Sequence, residues 1–213
     1  MNNTLRFLFF ALIVRPILLI AVGIHARGRG FLPEVGPAVI VANHNSHLDT
    51  LTILSLFPLR MLPRLRPVAA ADYFLRSKAM AWFAFRIVGI IPLARSGRDH
   101  GEHPLAGCTK ALDRGDILIL FPEGSRGEPE QLSEFKNGVA HLVKLRTQMP
   151  VHPLFINGLG KVLPKDAKFL VPFNCDVVIG ERLMWPGSIA AFMAEMQTRM
   201  SELAAQVHVA PWE

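Results

Sequence analysis

The chain has 213 residues, of which 51% are apolar and 19% charged. That is long enough for one domain with a full core, and too apolar for intrinsic disorder. Lys and Arg number 23 against 17 Asp and Glu, a formal charge of +6, which points to an anionic partner: nucleic acid, lipid head groups or a phosphorylated substrate. Cys108 and Cys175 make neither a C-x-x-C pair nor a secreted disulfide framework, and they read as free core thiols.

The longest apolar stretch runs from Leu5 to Ile24, about the ~20 residues that a spanning helix needs. Arg15-Pro16 interrupts it. An arginine near a helix centre costs roughly 2.5–3.5 kcal/mol on insertion, and a proline weakens the hydrogen-bond ladder. The halves Phe7–Val14 and Ile17–Ile24 are each too short to cross. Residues 1–30 are therefore expected to form an in-plane or re-entrant membrane anchor, with Arg6, Arg15, Arg27 and Arg29 reaching lipid phosphates while Phe7, Phe9 and Phe10 enter the acyl boundary. A tilted single span and a signal peptide are the alternatives, and Arg15 spoils the unbroken apolar region that the latter requires.

Beyond the Gly-rich break at 27–30, short β-branched runs alternate with helical stretches, the pattern of one α/β domain over residues 31–213 with a mainly buried sheet. Predicted strands are Ala38–Ala42, Pro67–Ala71, Ile90–Leu93, Ile117–Phe121, Val151–Ile156, Lys168–Val171 and Asp176–Ile179. Predicted helices are Thr50–Phe57, Tyr73–Ile87, Pro104–Arg114, Glu134–Thr147 and Ser188–Gln206, with Asp72 and Ser133 as N-caps. Polar signatures cluster where strands end, which is where α/β sheets place their ligands.

The densest such cluster is Asn43-His44-Asn45-Ser46-His47-Leu48-Asp49. A general base needs an imidazole oriented by a carboxylate on its other nitrogen, and His44 with Asp49 supplies both parts. Residues five apart on a regular helix diverge by roughly 140°, so the pair requires a strand-to-helix turn between them. Other readings of these residues stay open: Ser46 as a nucleophile, a metal site built on His44, His47 and Asp49, and Asp49 as a simple helix cap.

Three further blocks follow in order: Gly89-Ile90-Ile91-Pro92-Leu93-Ala94-Arg95, Phe121-Pro122-Glu123-Gly124-Ser125-Arg126, and Val151-His152-Pro153-Leu154-Phe155-Ile156. Together with the H-x4-D spacing of His44 and Asp49, these blocks resemble the lysophosphatidic acid acyltransferases, the 1-acylglycerol-3-phosphate acyltransferases of the glycerolipid acyltransferase superfamily. The likeness spans roughly residues 38–157. His152 departs from the small apolar residue usual in the fourth block.

The resemblance implies a mixed, largely buried sheet flanked by helices, and an acyl group moved from a thioester donor, acyl-coenzyme A or acyl carrier protein, to the free hydroxyl of a 1-acylglycerol-3-phosphate, giving phosphatidic acid. It makes His44 the base and Asp49 its orienting carboxylate. Arg95 and Arg126 become the phosphate-holding cations, with Glu123, Gly124 and Ser125 shaping the acceptor pocket and Lys136 as a further phosphate contact. No metal or cofactor is called for. The expected partners are membrane lipids and the two substrates, on the cytoplasmic face of the inner or plasma membrane. Nucleic acid is disfavoured by the single tyrosine and the absence of any helix-turn-helix or RNA-module signature. A different lysolipid acceptor is the enzymatic alternative, beside the metal-dependent hydrolase.

Overall fold

The computed structural model describes residues 3–74, 77–93, 104–125, 132–162 and 173–207. In chain order its elements are α1 (Asn3–Phe9), a π-helical turn (Phe10–Val14), α2 (Arg15–Ala21), β1 (Val22–Arg27), β2 (Ala38–Ala42), α3 (Leu48–Leu56), a 3-10 turn (Leu59–Arg64) and β3 (Leu65–Ala70). There follow α4 (Ala71–Phe74), α5 (Lys78–Phe83), a second π-helical turn (Ala84–Val88), β4 (Ile91–Leu93), α6 (Ala106–Asp113) and β5 (Ile117–Leu120). The remainder is α7 (Gly138–Lys144), β6 (Val151–Asn157), α8 (Leu159–Val162), β7 (Phe173–Ile179) and α9 (Ile189–Ala205).

The sheet has seven strands in the order β1-β7-β6-β2-β5-β3-β4. Every pairing is parallel except β6 with β7. Parallel strands need both faces covered, which explains why β2 is buried along its whole length. Its side chains alternate between two cores. Ala38, Ile40 and Ala42 face a layer containing Phe10, Val14, Leu18, Ile53 and Phe57. Val39 and Val41 face a layer built by α6, α7 and α9 through Leu112, Leu142, Phe192 and Met196. The sheet is thus sandwiched between the N-terminal helix with α3 on one side and three helices on the other.

The N-terminal segment departs from its reading in three ways. There is no break at Pro16: the Arg15 N–H bonds to the Phe10 carbonyl, five residues back, and Pro16 falls in the first turn of α2, where its missing donor costs little. Residues 22–27 do not remain in the apolar segment but form β1, which pairs in parallel with β7 from Val22↔Phe173 to Arg27↔Val178. Nor do Arg6 and Arg15 reach outward. Arg6 is 0% exposed; its Nη1 donates to the Leu62 carbonyl at 2.5 Å and its Nη2 to those of Leu65 and Val88 at 3.1 and 2.8 Å. Arg15 Nη2 donates to the Phe57 carbonyl at 2.8 Å, past the end of α3. Carbonyls orphaned where helical turns finish are strong acceptors; they hold the Arg6 guanidinium wholly inside the protein and anchor the half-buried Arg15 through its Nη2. Arg27 donates to the Gln206 carbonyl at 3.0 Å, and Arg29 is exposed.

Most expected strands appear within a few residues of their predicted ends, Ala38–Ala42 without change. The strand expected at Lys168–Val171 lies outside the described residues. The helix expected over Tyr73–Ile87 is divided into α4, α5 and the second π-helical turn; Asp72 sits inside the first turn of α4, and the cap is Ser77, whose Oγ accepts from the Met80 N–H at 3.1 Å. The helix expected from Glu134 begins at Gly138. Ser133 does not cap it, because the Lys136 N–H is bonded to the Pro122 carbonyl at 2.9 Å and holds the preceding residues out of the helix.

Candidate active site

The carboxyl ends of β2, β5 and β6 converge on one edge of the sheet, and the polar loops leaving the first two meet there. The chain turns directly from β2 into α3, so His44, just past the strand, faces Asp49 in the helix's first turn. His44 Nδ1 lies 2.9 Å from Asp49 Oδ2. With the carboxylate ionised, Nδ1 carries the hydrogen and donates it, which leaves Nε2 as the basic nitrogen.

Asp49 is held as firmly as it holds. It is 1% exposed, and Oδ2 also accepts the backbone N–H groups of Asn45 at 2.7 Å and Ser46 at 2.8 Å. Those two amides fix the buried carboxylate at the turn into α3. One oxygen thus ties the ring to the turn that precedes α3; Asp49 is not the helix cap, a place taken by His47 without a side-chain cap bond. Ser46 is buried, with its Oγ accepting the Leu48 N–H at 3.3 Å, a turn-forming contact. His47 is exposed at the head of α3. Among the described residues no three His, Cys, Asp or Glu side chains converge as a metal-binding group.

The turn after β5 supplies the opposite wall. The Phe121 ring stacks on the His44 imidazole, centroids 4.2 Å apart at 25°, which limits the ring's freedom. Glu123 is buried and its Oε1 accepts the His44 N–H at 3.1 Å. It thus braces the backbone of the candidate base, a contact that its expected place in the acceptor pocket did not include. Burial pushes the Glu123 carboxyl above the usual carboxylate range, against the opposing pull of the His44 N–H and the Ser133 hydroxyl. Gly124 has φ +72°, and a Cβ on it would lie 2.5 Å from Lys136 Nζ. The positive φ favours glycine there, and the flexible Lys136 side chain lays its ammonium over the turn. Ser125 is exposed beside it. Arg95 and Arg126 lie outside the described residues.

Asn43, to which the sequence motif assigns no role, supports the site from beneath. Fully buried, it donates from Nδ2 to the Ile156 carbonyl at 2.8 Å and accepts the Ile156 N–H on Oδ1 at 2.7 Å. The side chain thereby extends the β2–β6 ladder by one rung and fixes the position from which His44 departs. Phe121 was quoted within its motif without a role. Asn43 adjoins His44 and Phe121 stands two residues before Glu123, and that proximity is the signal each carries in the sequence. The two cysteines are buried and free; burial raises the Cys108 thiol to about 11 and the Cys175 thiol further, so neither offers a thiolate at neutral pH.

The model of the family described as Acyltransferase matches residues 23–157. The chloroplastic 1-acyl-sn-glycerol-3-phosphate acyltransferase LPAT1 of Arabidopsis thaliana is 33% identical over 132 residues, 62% of this chain and 35% of that protein. The 1-acyl-sn-glycerol-3-phosphate acyltransferase alpha of Mus musculus is 27% identical over 161 residues, 75% of this chain and 54% of its own. The chain thus matches between about a third and a half of the length of these relatives. The crystal structure of the 1-acyl-sn-glycerophosphate (LPA) acyltransferase PlsC from Thermotoga maritima shares the fold, with a TM-score of 0.74 over 98% of this chain and 81% of that one at 20% identity. The segment matched by the family model takes in Asn43, the His44–Asp49 pair and the turn from Phe121 to Ser125, and on that match the chain belongs to the acyltransferase family.

Proposed function

We propose that this protein transfers a fatty acyl group from a thioester donor, acyl-coenzyme A or acyl carrier protein, to the free hydroxyl of 1-acylglycerol-3-phosphate. The observation that carries this reading is the 2.9 Å contact between His44 Nδ1 and Asp49 Oδ2, backed by relatives whose names state that activity. His44 Nε2 takes the acceptor's hydroxyl proton as its oxygen attacks the thioester carbonyl. The tetrahedral oxyanion then collapses and the thiolate leaves, to be protonated from the imidazolium or solvent. Asp49 stabilises the imidazolium formed in between. Transfer is direct, since both cysteines are buried as thiols and Ser46 is engaged in the turn. The acceptor's phosphate is assigned to Arg95 and Arg126, with Lys136 approaching from the Gly124 side; arginine suits such a ligand because its planar fork bonds two phosphate oxygens at once.

The reaction is assigned to a membrane surface, on the cytoplasmic face of the inner or plasma membrane. Asn3–Ile20 is long and apolar enough to cross a bilayer by length and composition. Its inner face is nevertheless spent on the protein core through Arg6, Phe10, Val14 and Leu18. Its outer face exposes Leu12 at 69%, Leu19 at 82% and Ile20 at 83%. A helix with one face in the core and the other apolar and bare fits an in-plane anchor.

The test is thiol release by purified protein in detergent, with a panel of lysolipids and both donors. Release that depends on 1-acylglycerol-3-phosphate and disappears in His44→Ala is expected. Thioester consumption indifferent to acceptor and to His44 would remove the assignment. Leu19→Glu with Ile20→Glu should abolish flotation with vesicles while leaving turnover of detergent-dispersed substrate within a few fold; unchanged flotation refutes the anchor.

A further inference from the structure

A cleft of about 770 Å³ lies between the end of the N-terminal helix and the β1–β7 edge of the sheet. None of the candidate site residues lines it. One wall is apolar, made by Leu18, Leu19, Val22 and Ile24. Leu19 is at once part of that wall and 82% exposed on the helix's outer face, so the cleft opens onto the apolar surface itself.

The other wall is cationic. Arg15 is fixed there by the Ser55 and Phe57 carbonyls at 3.4 and 2.8 Å, and Arg29 stands exposed at the rim. The cleft's one carboxylate, Asp176, already has His25 Nδ1 at 3.2 Å. Among the described residues neither arginine is paired with a carboxylate. Gly23 and Asn174 complete the lining: the Asn174 carboxamide lies over Gly23, where a Cβ would stand 2.6 Å from Oδ1. A side chain at 23 would displace that amide, a neutral donor, from the cleft.

Two arginines and an apolar surface that runs into an exposed apolar helix line one cleft, which gives it the polarity of one amphiphile. We propose that this cleft binds the phosphate head group of an anionic glycerophospholipid, with an acyl chain lying along Leu18, Leu19 and Val22, at a site separate from the one where acyl transfer occurs. Arg15 and Arg29 hold the phosphate oxygens, Asn174 donates from the side, and the wall excludes water from the upper chain. The position of the cleft relative to lipid rests on the in-plane reading of the N-terminal helix; the recognition chemistry does not.

The experiment therefore uses no bilayer. Full-length protein in nonionic detergent is titrated calorimetrically with dihexanoyl phosphatidylglycerol below its micellar concentration, with dihexanoyl phosphatidylcholine and inorganic phosphate as parallel arms. Saturable phosphatidylglycerol binding is expected, about ten-fold weaker in Arg29→Ala, as for loss of one charge-assisted contact. It should vanish in Asn174→Trp, which fills the cleft without changing charge, and stay unchanged in Arg60→Ala, an exposed cation outside the cleft. Equal weakening by Arg29→Ala and Arg60→Ala would reduce the effect to diffuse charge and overturn the proposal. So would binding untouched by any variant, or phosphatidylcholine binding as well as phosphatidylglycerol. Inorganic phosphate binding as tightly as the lipid would overturn the assignment to a glycerophospholipid. Because flotation and this titration are independent, loss of either reading leaves the other standing.

Discussion

Asp49 can be separated into its two tasks by substitution. Its Oδ2 accepts from the His44 ring and from the amides of Asn45 and Ser46. Asp49→Ala orphans both amides, one buried and one half-buried, and at ~1–3 kcal/mol per unsatisfied buried donor the cost is about 2–4 kcal/mol of stability. Asp49→Asn places a carbonyl oxygen at the same point and keeps all three donors satisfied. Its amide nitrogen then occupies the position of Oδ1, which has no hydrogen-bond partner among the described residues, for roughly 1–2 kcal/mol. What asparagine removes is the charge that stabilises the imidazolium. Turnover should therefore fall by about 10²–10⁴ in Asp49→Asn with a modest change in denaturation midpoint, and by a similar factor in His44→Ala. Because the two side chains act as one unit, the double variant should be no more than a few fold worse than the more damaged single variant. Thiol-release kinetics and urea unfolding on the same preparations measure both effects. Losses that multiply would mean that the two residues act independently, and the dyad would be abandoned.

Asn43→Ala should cost about 2–4 kcal/mol, since both backbone groups of Ile156 lose their partner in a fully buried setting, and turnover should fall with it; a denaturation midpoint equal to wild type would show that the rung is dispensable. Arg6→Met should cost about 3 kcal/mol through three orphaned carbonyls, read as a lower melting temperature in detergent, and an unchanged one would refute the fastening role. Glu123→Gln keeps an oxygen for the His44 N–H but cannot ionise. A carboxyl whose folded pKa is raised by burial stabilises the fold at low pH and loses that contribution as pH climbs through its ordinary value of 4.5 towards the folded one. The variant should therefore gain on wild type in melting temperature between pH 4 and pH 7. A difference that does not vary with pH would contradict the sign.

Much of the site was legible because it is local. A β-branched run buried on both faces can only be an interior strand, and Ala38–Ala42 has the predicted ends. The spacing of His44 and Asp49 required a strand-to-helix turn, and the turn is there. What escaped was non-local. The contact from Glu123 to the His44 backbone spans 79 residues, and no pattern around Glu123 distinguishes a carboxylate facing substrate from one facing the chain. The start of α7 was misplaced because the Pro122 carbonyl, from another loop, holds the Lys136 amide. Composition also hid β1: Val22–Arg27 continues an apolar run, and lipid, helix packing and a sheet edge all select the same side chains. For Arg6, snorkelling to lipid and capture by carbonyls look identical in sequence; only the tertiary position of the helix ends decides between them.

The passage from α2 into β1 takes no intervening residue, Ala21 ending the helix and Val22 opening the strand. With Arg6 riveted at the other end of the segment, the greasy helix and the strands beneath it have no tether between them on which to swing. On a bilayer, the depth at which Leu12, Leu19 and Ile20 settle would fix the altitude and tilt of the His44 ring above the lipid. Such an enzyme has no reach of its own. On the in-plane anchor proposed above, its acceptor would drift sideways within the leaflet to a stationary port, and changes in leaflet thickness or fluidity would register directly in the rate.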